Sequence, residues 1–271
     1  ISRRLDRQWY GPGLSHIDLR FGNSCNLKCI SCYSQSSSSL NEEAIEMKMS
    51  GIIPLHNILE KSVSNWYDEK FFSYFENLPL KEVALAGGEP MMIKHLPEFL
   101  ERLDPSVTIR FTTNVTIYNQ KIVNILKKFH KVIMSMSIDA IGPRIEYIRY
   151  GAKWHEVEAN ALKYAEFCKV DVVPCVSVLN AIYYDEIKEW CEVNKIKLYQ
   201  ENLLMNPAWL NLKNAPDSLK SQIKYFHNWM ATETDIQQQN KFVENINKVD
   251  NWRKISLRDY LPEVADAYGI N

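Results

Sequence analysis

The sequence contains no apolar run approaching the roughly 20 residues that a membrane-spanning helix needs. Basic residues near its start are not followed by the apolar segment of a signal peptide. It also lacks a basic excess, because 32 Lys and Arg stand against 33 Asp and Glu, for a formal net charge of -1. We therefore expect a cytoplasmic protein with no membrane and no nucleic acid among its partners.

Cysteine is scarce as well, with six residues in 271, but three of the six lie within eight positions. Cys25, Cys29 and Cys32 form this cluster. In a long chain without a secretion signal, clustered cysteines indicate metal binding or redox chemistry rather than disulfides. A closed zinc site needs a fourth ligand, and neither a second cysteine pair nor a nearby histidine supplies one. An iron–sulfur cubane held by three cysteines leaves one iron open.

Alternation of polar and apolar residues predicts six strands, and helical patterns separate them. The strand segments are 15–21, 81–87, 107–113, 131–140, 171–180 and 195–202. Such an order predicts a parallel sheet, but each strand has one polar face, unlike the strands of a doubly wound sheet. The predicted fold class is α/β: a partial (β/α)6 barrel of parallel strands with a polar lumen, plus a mainly helical C-terminal appendage.

This pattern predicts a lead-in over residues 1–14, the barrel over 15–205 and a helical extension over 206–271. The serine-rich run at 34–44 predicts a flexible loop. Cys175 is expected on the lumen face of its strand, where its thiol could donate a hydrogen atom. The side chains positioned to hold a substrate in the lumen are Arg20, Arg110, Ser135, Cys175, Tyr199 and Glu201.

Short motifs follow the strand ends in order. "AGGEP" (86–90) closes the second strand, "TTN" (112–114) the third and "SID" (137–139) the fourth, and Arg149 follows in "IRYGAKW". Together with C-x3-C-x2-C after the first strand, these motifs resemble the radical S-adenosylmethionine (radical SAM) superfamily. Longer segments such as "NPAWLNLKNAP" and "ISLRDYLPEV" resemble its twitch/SPASM-like branch.

The resemblance implies a [4Fe-4S] cluster on Cys25, Cys29 and Cys32, with S-adenosylmethionine bound at the open iron. It implies reductive cleavage of that cofactor and hydrogen abstraction from a substrate, by analogy a peptide or protein. An external electron donor such as flavodoxin or ferredoxin is implied as a partner. Relatives also tend to carry a Cys-rich segment before the barrel. That segment is absent from this sequence, whether lost naturally or cut away. Because the chain begins at Ile1 without Met, we expect some N-terminal sequence to be missing.

The same resemblance implies roles for individual residues. Ser137 and Asp139 contact the ribose, Arg149 holds the methionine carboxylate, and the GGEP turn holds the methionine amino group. Ser31 stands where relatives usually have an aromatic residue against adenine, so that contact falls to the backbone or to Tyr33. The cofactor-binding residues are Ser31, Tyr33, Gly87, Gly88, Glu89, Pro90, Asn114, Ser137, Asp139 and Arg149.

Two other functions stay open at this point. The first is an iron–sulfur electron-transfer or sensing protein without S-adenosylmethionine chemistry. The GGEP and S-x-D motifs disfavour it, because an electron carrier needs no sulfonium site. The second is a zinc-stabilised interaction module, which the lack of a fourth ligand disfavours.

Overall fold

The computed structural model describes residues 13–59, 69–75, 78–199, 202–231 and 233–271. Its strands are β1 His16–Arg20, β2 Lys28–Cys29, β3 Glu82–Ala86, β4 Thr108–Thr113, β5 Lys131–Met136, β6 Arg149–Tyr150, β7 Lys169–Val172 and β8 Lys197–Leu198. Six of them form a sheet of the order β1-β3-β4-β5-β7-β8, in which all neighbours run parallel. The other two, β2 and β6, form a short antiparallel ribbon.

Helices lie between the strands of the sheet and after the last one. The helices of the described residues are α1 Ser38–Met49, α2 Glu69–Ser73, α3 Leu96–Glu101, α4 Gln120–Leu126, α5 Pro143–Ile148, α6 Trp154–Ala165, α7 Tyr184–Val193, α8 Asp217–Lys220, α9 His227–Met230, α10 Ile236–Arg253, α11 Leu257–Tyr260 and α12 Pro262–Tyr268. Every connection between neighbouring strands of the sheet contains at least one of them, as parallel strands require. This arrangement confirms the predicted partial barrel with a helical appendage.

The apolar face of the sheet forms the core beneath these helices. Leu85, Ile109, Phe111 and Met134 of the central strands are almost completely buried. Burying side chains of this size stabilises the fold by roughly 1.5–3 kcal/mol each. The alternation that predicts the strands therefore also decides which of their faces the helices cover.

Strand register stacks the polar face into layers, because in-register residues of neighbouring strands point the same way. In the upper layer Thr112, Ser135, Asp171 and Lys197 are consecutive register partners on β4, β5, β7 and β8. The layer below contains Asp18, Ala84, Arg110, Ile133 and Lys169. These two layers line the lumen.

The fifth predicted strand ends earlier than its sequence pattern suggests. β7 stops at Val172, and the expectation that Cys175 lies on a lumen-facing strand is wrong. Pro174 has no N–H for a ladder, so the continuous strand ends before it, and an isolated parallel bridge between Val176 and Leu203 follows. The Cys175 N–H instead donates to Asp139 Oδ1 at 2.7 Å. The sixth strand is also short, which leaves Tyr199 just beyond it, and Glu201 lies outside the described residues.

The serine-rich run is not a flexible loop. It contains a 3-10 turn at Ser34–Ser36 and the start of α1, for which Ser37 is the N-cap. The Ser37 hydroxyl accepts a hydrogen bond from the Leu40 N–H at 3.2 Å and donates one to the Leu27 carbonyl at 2.7 Å. Serine is a preferred capping residue, and the buried Leu40, Ala44 and Met47 then hold the helix on the core.

The C-terminal extension is helical and docks against the start of the barrel. Arg253, the last residue of α10, forms a bidentate ion pair with Glu43 of α1 at 3.0 and 2.7 Å. Its guanidinium also donates to the Lys28 carbonyl at 2.9 Å and lies 4.5 Å from the ring centroid of Tyr150.

Among the described residues, no helix combines the length and apolar composition that a bilayer crossing requires.

Candidate functional site

The three clustered cysteines lie on the loop that follows β1, which we call the cysteine loop (Asn23–Cys32). Cys25 and Cys29 are buried and Cys32 is half-buried. Serines of the run beyond the loop fix its backbone: Ser39 Oγ donates to the Cys25 carbonyl at 2.7 Å, and Ser38 Oγ accepts from the Cys25 N–H at 3.2 Å. The serines missed by sequence reasoning therefore hold the loop in place.

Burial raises the pKa of all three thiols, that of Cys29 to about 12. The Arg149 guanidinium opposes this rise, because it stabilises a thiolate; its Nη1 lies 3.8 Å from Cys29 Sγ. The ribbon between β2 and β6 makes this contact possible, since Cys29 and Arg149 are register partners in it. A cation is thus built in beside buried thiols that must become anionic to bind metal.

These donors fit a [4Fe-4S] cluster better than a single metal ion. Within the part of the chain that the structure describes, no three His, Cys, Asp or Glu side chains are arranged to hold one ion. A cubane takes each cysteine on a different iron, so separated thiolates on one loop suit it. The three thiols lie close together, because the charges of Cys25 and Cys32 both raise the pKa of Cys29.

The GGEP turn packs directly on the cysteine loop. Gly87 and Gly88 have φ angles of 84° and 53°. A Cβ at Gly88 would lie 2.3 Å from the Ser24 carbonyl oxygen, which itself accepts a hydrogen bond from the Glu89 N–H at 2.7 Å. Glycine is needed at position 88 both for its backbone angle and for this close approach. Pro90 then starts a 3-10 turn, in which Pro90 and Met91 are buried.

We expect Gly88→Ala to lower the free energy of unfolding by roughly 2–4 kcal/mol, the sum of left-handed strain and a backbone clash. Gly269→Ala is the matched control, since Gly269 has a φ of 64° but nothing within 4 Å of an added Cβ. It should cost about 1 kcal/mol, from strain alone. Urea unfolding of both variants measures the difference. Equal costs would contradict a tight contact between the turn and the loop.

Glu89 is 1% exposed and joins the ends of two strands. Its Oε1 accepts from the Met91 N–H at 3.0 Å and from Thr113 Oγ1 at 2.8 Å, and its Oε2 accepts from the Asn114 N–H at 2.7 Å. Burial raises the pKa of this carboxyl, and these donors oppose the rise. The geometry supports a positioning role, and direct contact with a methionine amino group stays a prediction.

Asn114 connects the end of β4 to the cysteine loop. Its Nδ2 donates to Asn26 Oδ1 at 3.0 Å and lies 3.9 Å from Cys25 Sγ. Its Oδ1 accepts from Thr116. The TTN motif thus reaches the same loop as the GGEP turn.

The two polar side chains of the S-x-D motif differ, because that of Asp139 is hydrogen-bonded to described residues and that of Ser137 is not. Asp139 is buried, and its two oxygens accept from Arg149 Nε at 2.8 Å and from the Cys175 N–H at 2.7 Å. Its carboxylate therefore orients Arg149, and a contact with ribose stays a prediction. Ser137 is half-buried, and its hydroxyl has no hydrogen-bond partner among the described residues. That hydroxyl is available to a ligand.

The two residues suggested for the adenine lie beside the third cysteine. Ser31 is half-buried, and Tyr33 is 39% exposed. The Tyr33 ring meets His56 edge to face, with centroids 6.3 Å apart. Both rings line a cavity of about 180 Å³ that Trp209 of the extension also borders. Of Ser31 and Tyr33, Tyr33 is the residue with an aromatic ring that adenine could contact.

The structure places some of the residues predicted for the lumen on its polar face, in different surroundings. Arg20 is 67% exposed beside Asp18, whereas Arg110 Nε is 3.2 Å from Glu82 Oε1. Ser135 is buried in the upper layer. Tyr199 lies beneath Lys197, whose Nζ is 4.3 Å from its ring centroid.

Sequence reasoning missed Asp171, which lies in the upper layer beside Ser135. The signal was present in "KVDV" (169–172), where Lys169 and Asp171 alternate with Val170 and Val172. The pattern was assigned instead to the residues after Pro174. Cys175, predicted for the lumen, lies near the cysteine loop, since the charge of Cys32 contributes to its pKa.

Comparisons with known proteins agree with this geometry. A model of the radical SAM superfamily matches residues 19–193. The chain is 24% identical over 187 residues to a protein of Archaeoglobus fulgidus named "Probable GTP 3',8-cyclase", covering 68% of this chain and 55% of that protein. It therefore spans little more than half the length of this curated relative.

Solved structures share the fold. One, described as "Native anSMEcpe with bound AdoMet", has 18% identity and a TM-score of 0.52 over 89% of this chain and 63% of its own. Streptococcus suis SuiB bound to S-adenosylmethionine has 15% identity and a TM-score of 0.50, over 92% of this chain and 52% of its own. Because the family match covers most of the chain and includes the cysteine loop, the chain belongs to the radical SAM superfamily, whose enzymes use a [4Fe-4S] cluster and S-adenosylmethionine.

Proposed function

We propose that this enzyme binds its cluster through Cys25, Cys29 and Cys32 and acts on a peptide or protein substrate, as in the twitch/SPASM-like branch. The observation that carries the site is convergence: the GGEP turn, the end of β4 and Arg149 all contact the cysteine loop. This convergence lies at the carboxyl ends of the strands, where parallel barrels have their active sites.

When bound, the two cofactors supply one-electron reductive cleavage of the sulfonium and hydrogen abstraction from the substrate. The chain's own groups bind and orient. Arg149, fixed by Asp139, offers its remaining N–H groups to the methionine carboxylate. Ser137 offers a free hydroxyl to the ribose. Glu89 and Asn114 hold the backbone of both motif turns against the loop, which also keeps water from the buried thiols.

The open side of the sheet supports a polypeptide substrate. The sheet has two edges, β1 and β8, so the lumen is reached from the side as well as from the end. Exposed polar groups such as Arg20 and Lys197 line this opening. An extended chain could lie across it. Six free cysteines fit a reducing compartment, and we place the enzyme in the cytoplasm with flavodoxin or ferredoxin as electron donor.

A nucleotide is the second candidate substrate, and lumen charge favours it. Among the described strand residues, the polar face has five Lys or Arg side chains and three acidic ones, the cations being Arg20, Arg110, Lys131, Lys169 and Lys197. A basic lumen attracts phosphate groups. The relative named as a GTP 3',8-cyclase agrees with this possibility.

The test is anaerobic incubation of the reconstituted protein with S-adenosylmethionine and dithionite. We expect slow formation of 5'-deoxyadenosine and methionine without substrate, measured by chromatography. We expect Ser137→Ala to weaken cofactor binding roughly three- to tenfold in calorimetric titration, the value of one hydrogen bond. Ser106→Ala, an exposed serine in the loop before β4, is the control.

Two results would contradict the proposal. The first is no 5'-deoxyadenosine from protein with a full cluster and bound cofactor, which would favour an electron carrier. The second is an unchanged affinity in Ser137→Ala, which would remove this hydroxyl from the site. Adding peptides or nucleotides and measuring faster cleavage would distinguish the two substrate classes.

A further inference from the structure

Asp171 of β7 is a buried carboxylate on the polar face of the sheet. It is 1% exposed, and its Oδ1 is sealed from solvent without a hydrogen-bond donor. No hydrogen bond or ion pair joins this side chain to any described residue. A buried carboxylate without a partner is costly, so native structures rarely retain one without a use.

The other acidic residues of the lumen differ from Asp171. Asp18 lies 3.7 Å from Arg20 Nε, and Glu82 lies 3.2 Å from Arg110 Nε. Both of these pairs are at least partly exposed. Asp171 is therefore the acid in this face that combines deep burial with no cation beside it, among the residues that the structure describes.

Its register neighbours do not neutralise it. On one side is Ser135, which is also buried and whose hydroxyl has no partner among the described residues. On the other side is Lys197, whose ammonium group lies over the Tyr199 ring instead. Neighbouring strands are about 4.8 Å apart, so Asp171 and Ser135 are direct neighbours on this face, although no hydrogen bond joins their side chains. They form a pair of unused hydrogen-bonding groups in the upper layer of the lumen.

We propose that Asp171 and Ser135 form a subsite for a planar pair of N–H donors on the substrate. A carboxylate binds such a pair through two parallel hydrogen bonds, and the hydroxyl supplies a third acceptor. Two substrate groups have this chemistry: the guanidinium of an arginine in a peptide, and the N–H edge of a guanine. The inference rests on the proposed function for the existence of a lumen substrate, and it deepens that proposal by naming the group recognised.

Binding of two small probes to the cluster-loaded protein tests the subsite. The probes are N-acetyl-argininamide and GTP, and isothermal titration measures their affinities. N-acetyl-citrullinamide, which lacks the charge, and inosine triphosphate, which lacks the exocyclic amine, are the ligand controls. We expect one probe to bind at least roughly tenfold more tightly than its control, and Asp171→Asn to abolish that preference. Asp18→Asn, a solvated carboxylate on the same face, should keep it.

Stability provides a second measurement that does not depend on catalysis. If Asp171 has no internal partner, Asp171→Asn should unfold at the same temperature as the wild type or higher. Ser135→Ala should reduce the same probe preference without changing charge.

Two results would overturn the subsite. One is equal affinity of wild type and Asp171→Asn for both probes. The other is a marked fall in the unfolding temperature of Asp171→Asn, which would mean that Lys197 or another cation already pairs with it. Failure of S-adenosylmethionine cleavage would bear on the proposed function alone, because probe binding is measured without turnover.

Discussion

Protein in which Cys25, Cys29 and Cys32 are all replaced by alanine is expected to bind no iron–sulfur cluster. The wild type should hold roughly four irons per chain after anaerobic reconstitution. The reason is that these three thiols share one loop, with Arg149 beside them to favour the thiolate form. Iron and sulfide analysis, with absorption near 400 nm, measures the loss.

The control for this experiment is the double variant Cys168→Ala/Cys191→Ala. Burial raises the pKa of each of these thiols to about 12, and no cation opposes the rise. We expect this variant to bind as much iron as the wild type. If the triple variant still held about four irons, the cysteine loop would not be the binding site and the remaining cysteines, including Cys175, would have to take part.

Arg253→Met is expected to have the largest effect on stability. The side chains of Arg253 and Glu43 are 3% and 8% exposed, so removing the guanidinium leaves a buried carboxylate whose remaining ion pair is the longer one with Lys28 Nζ, at 3.7 Å. Breaking such a pair typically lowers the free energy of unfolding by about 3–5 kcal/mol. The variant also loses the hydrogen bond to the Lys28 carbonyl, next to Cys29, so its iron content should fall as well.

Two further variants separate the causes. Lys248→Met removes a partly exposed pair with Glu244 on the same helix and should cost about 0.5 kcal/mol or less. The double variant Glu43→Leu/Arg253→Met leaves no buried carboxylate, and the Lys28 ammonium that loses its contact with Glu43 is partly exposed, so this variant should recover much of the lost stability. Denaturant unfolding of all three gives the comparison. A cost for Arg253→Met no larger than that for Lys248→Met would show that the buried pair does not hold the extension.

The fold could be predicted from the sequence because polar and apolar residues alternate along most of its strands, with exceptions such as Ala84 and Ile133 on the polar face. In β4 and β5, apolar residues such as Ile109 and Met134 alternate with polar ones such as Arg110 and Ser135, so one face of the sheet is specified. Short-range motifs were equally informative. The GGEP pattern predicts a turn, but it does not predict the contact with Ser24 that requires glycine at position 88.

The relations that escaped prediction are those made between distant residues. Arg149 reaches Cys29 through a ribbon of two residues per strand, too short for any propensity to mark. The two carboxylate oxygens of Asp139 accept hydrogen bonds from Arg149 and from the Cys175 N–H, and no spacing in the sequence predicts these contacts. The run 34–44 has low sequence complexity, although Ser37 and Ser39 each donate a hydrogen bond to a specific backbone carbonyl.

The contact between Arg253 and Glu43 joins residues 210 positions apart, and that with Lys28 joins residues 225 apart. On the ribosome, at about 5–20 residues per second, Arg253 is added roughly 10–40 s after Glu43. A contact between residues so far apart in sequence also forms more slowly than a local contact, because closing a long loop costs more conformational entropy. The serines at 37–39 are already present when that interval begins, and the GGEP turn is added early in it, whereas Arg253 comes last. The restraint that Arg253 places on the metal-binding loop is therefore among the last to form as the chain is synthesised.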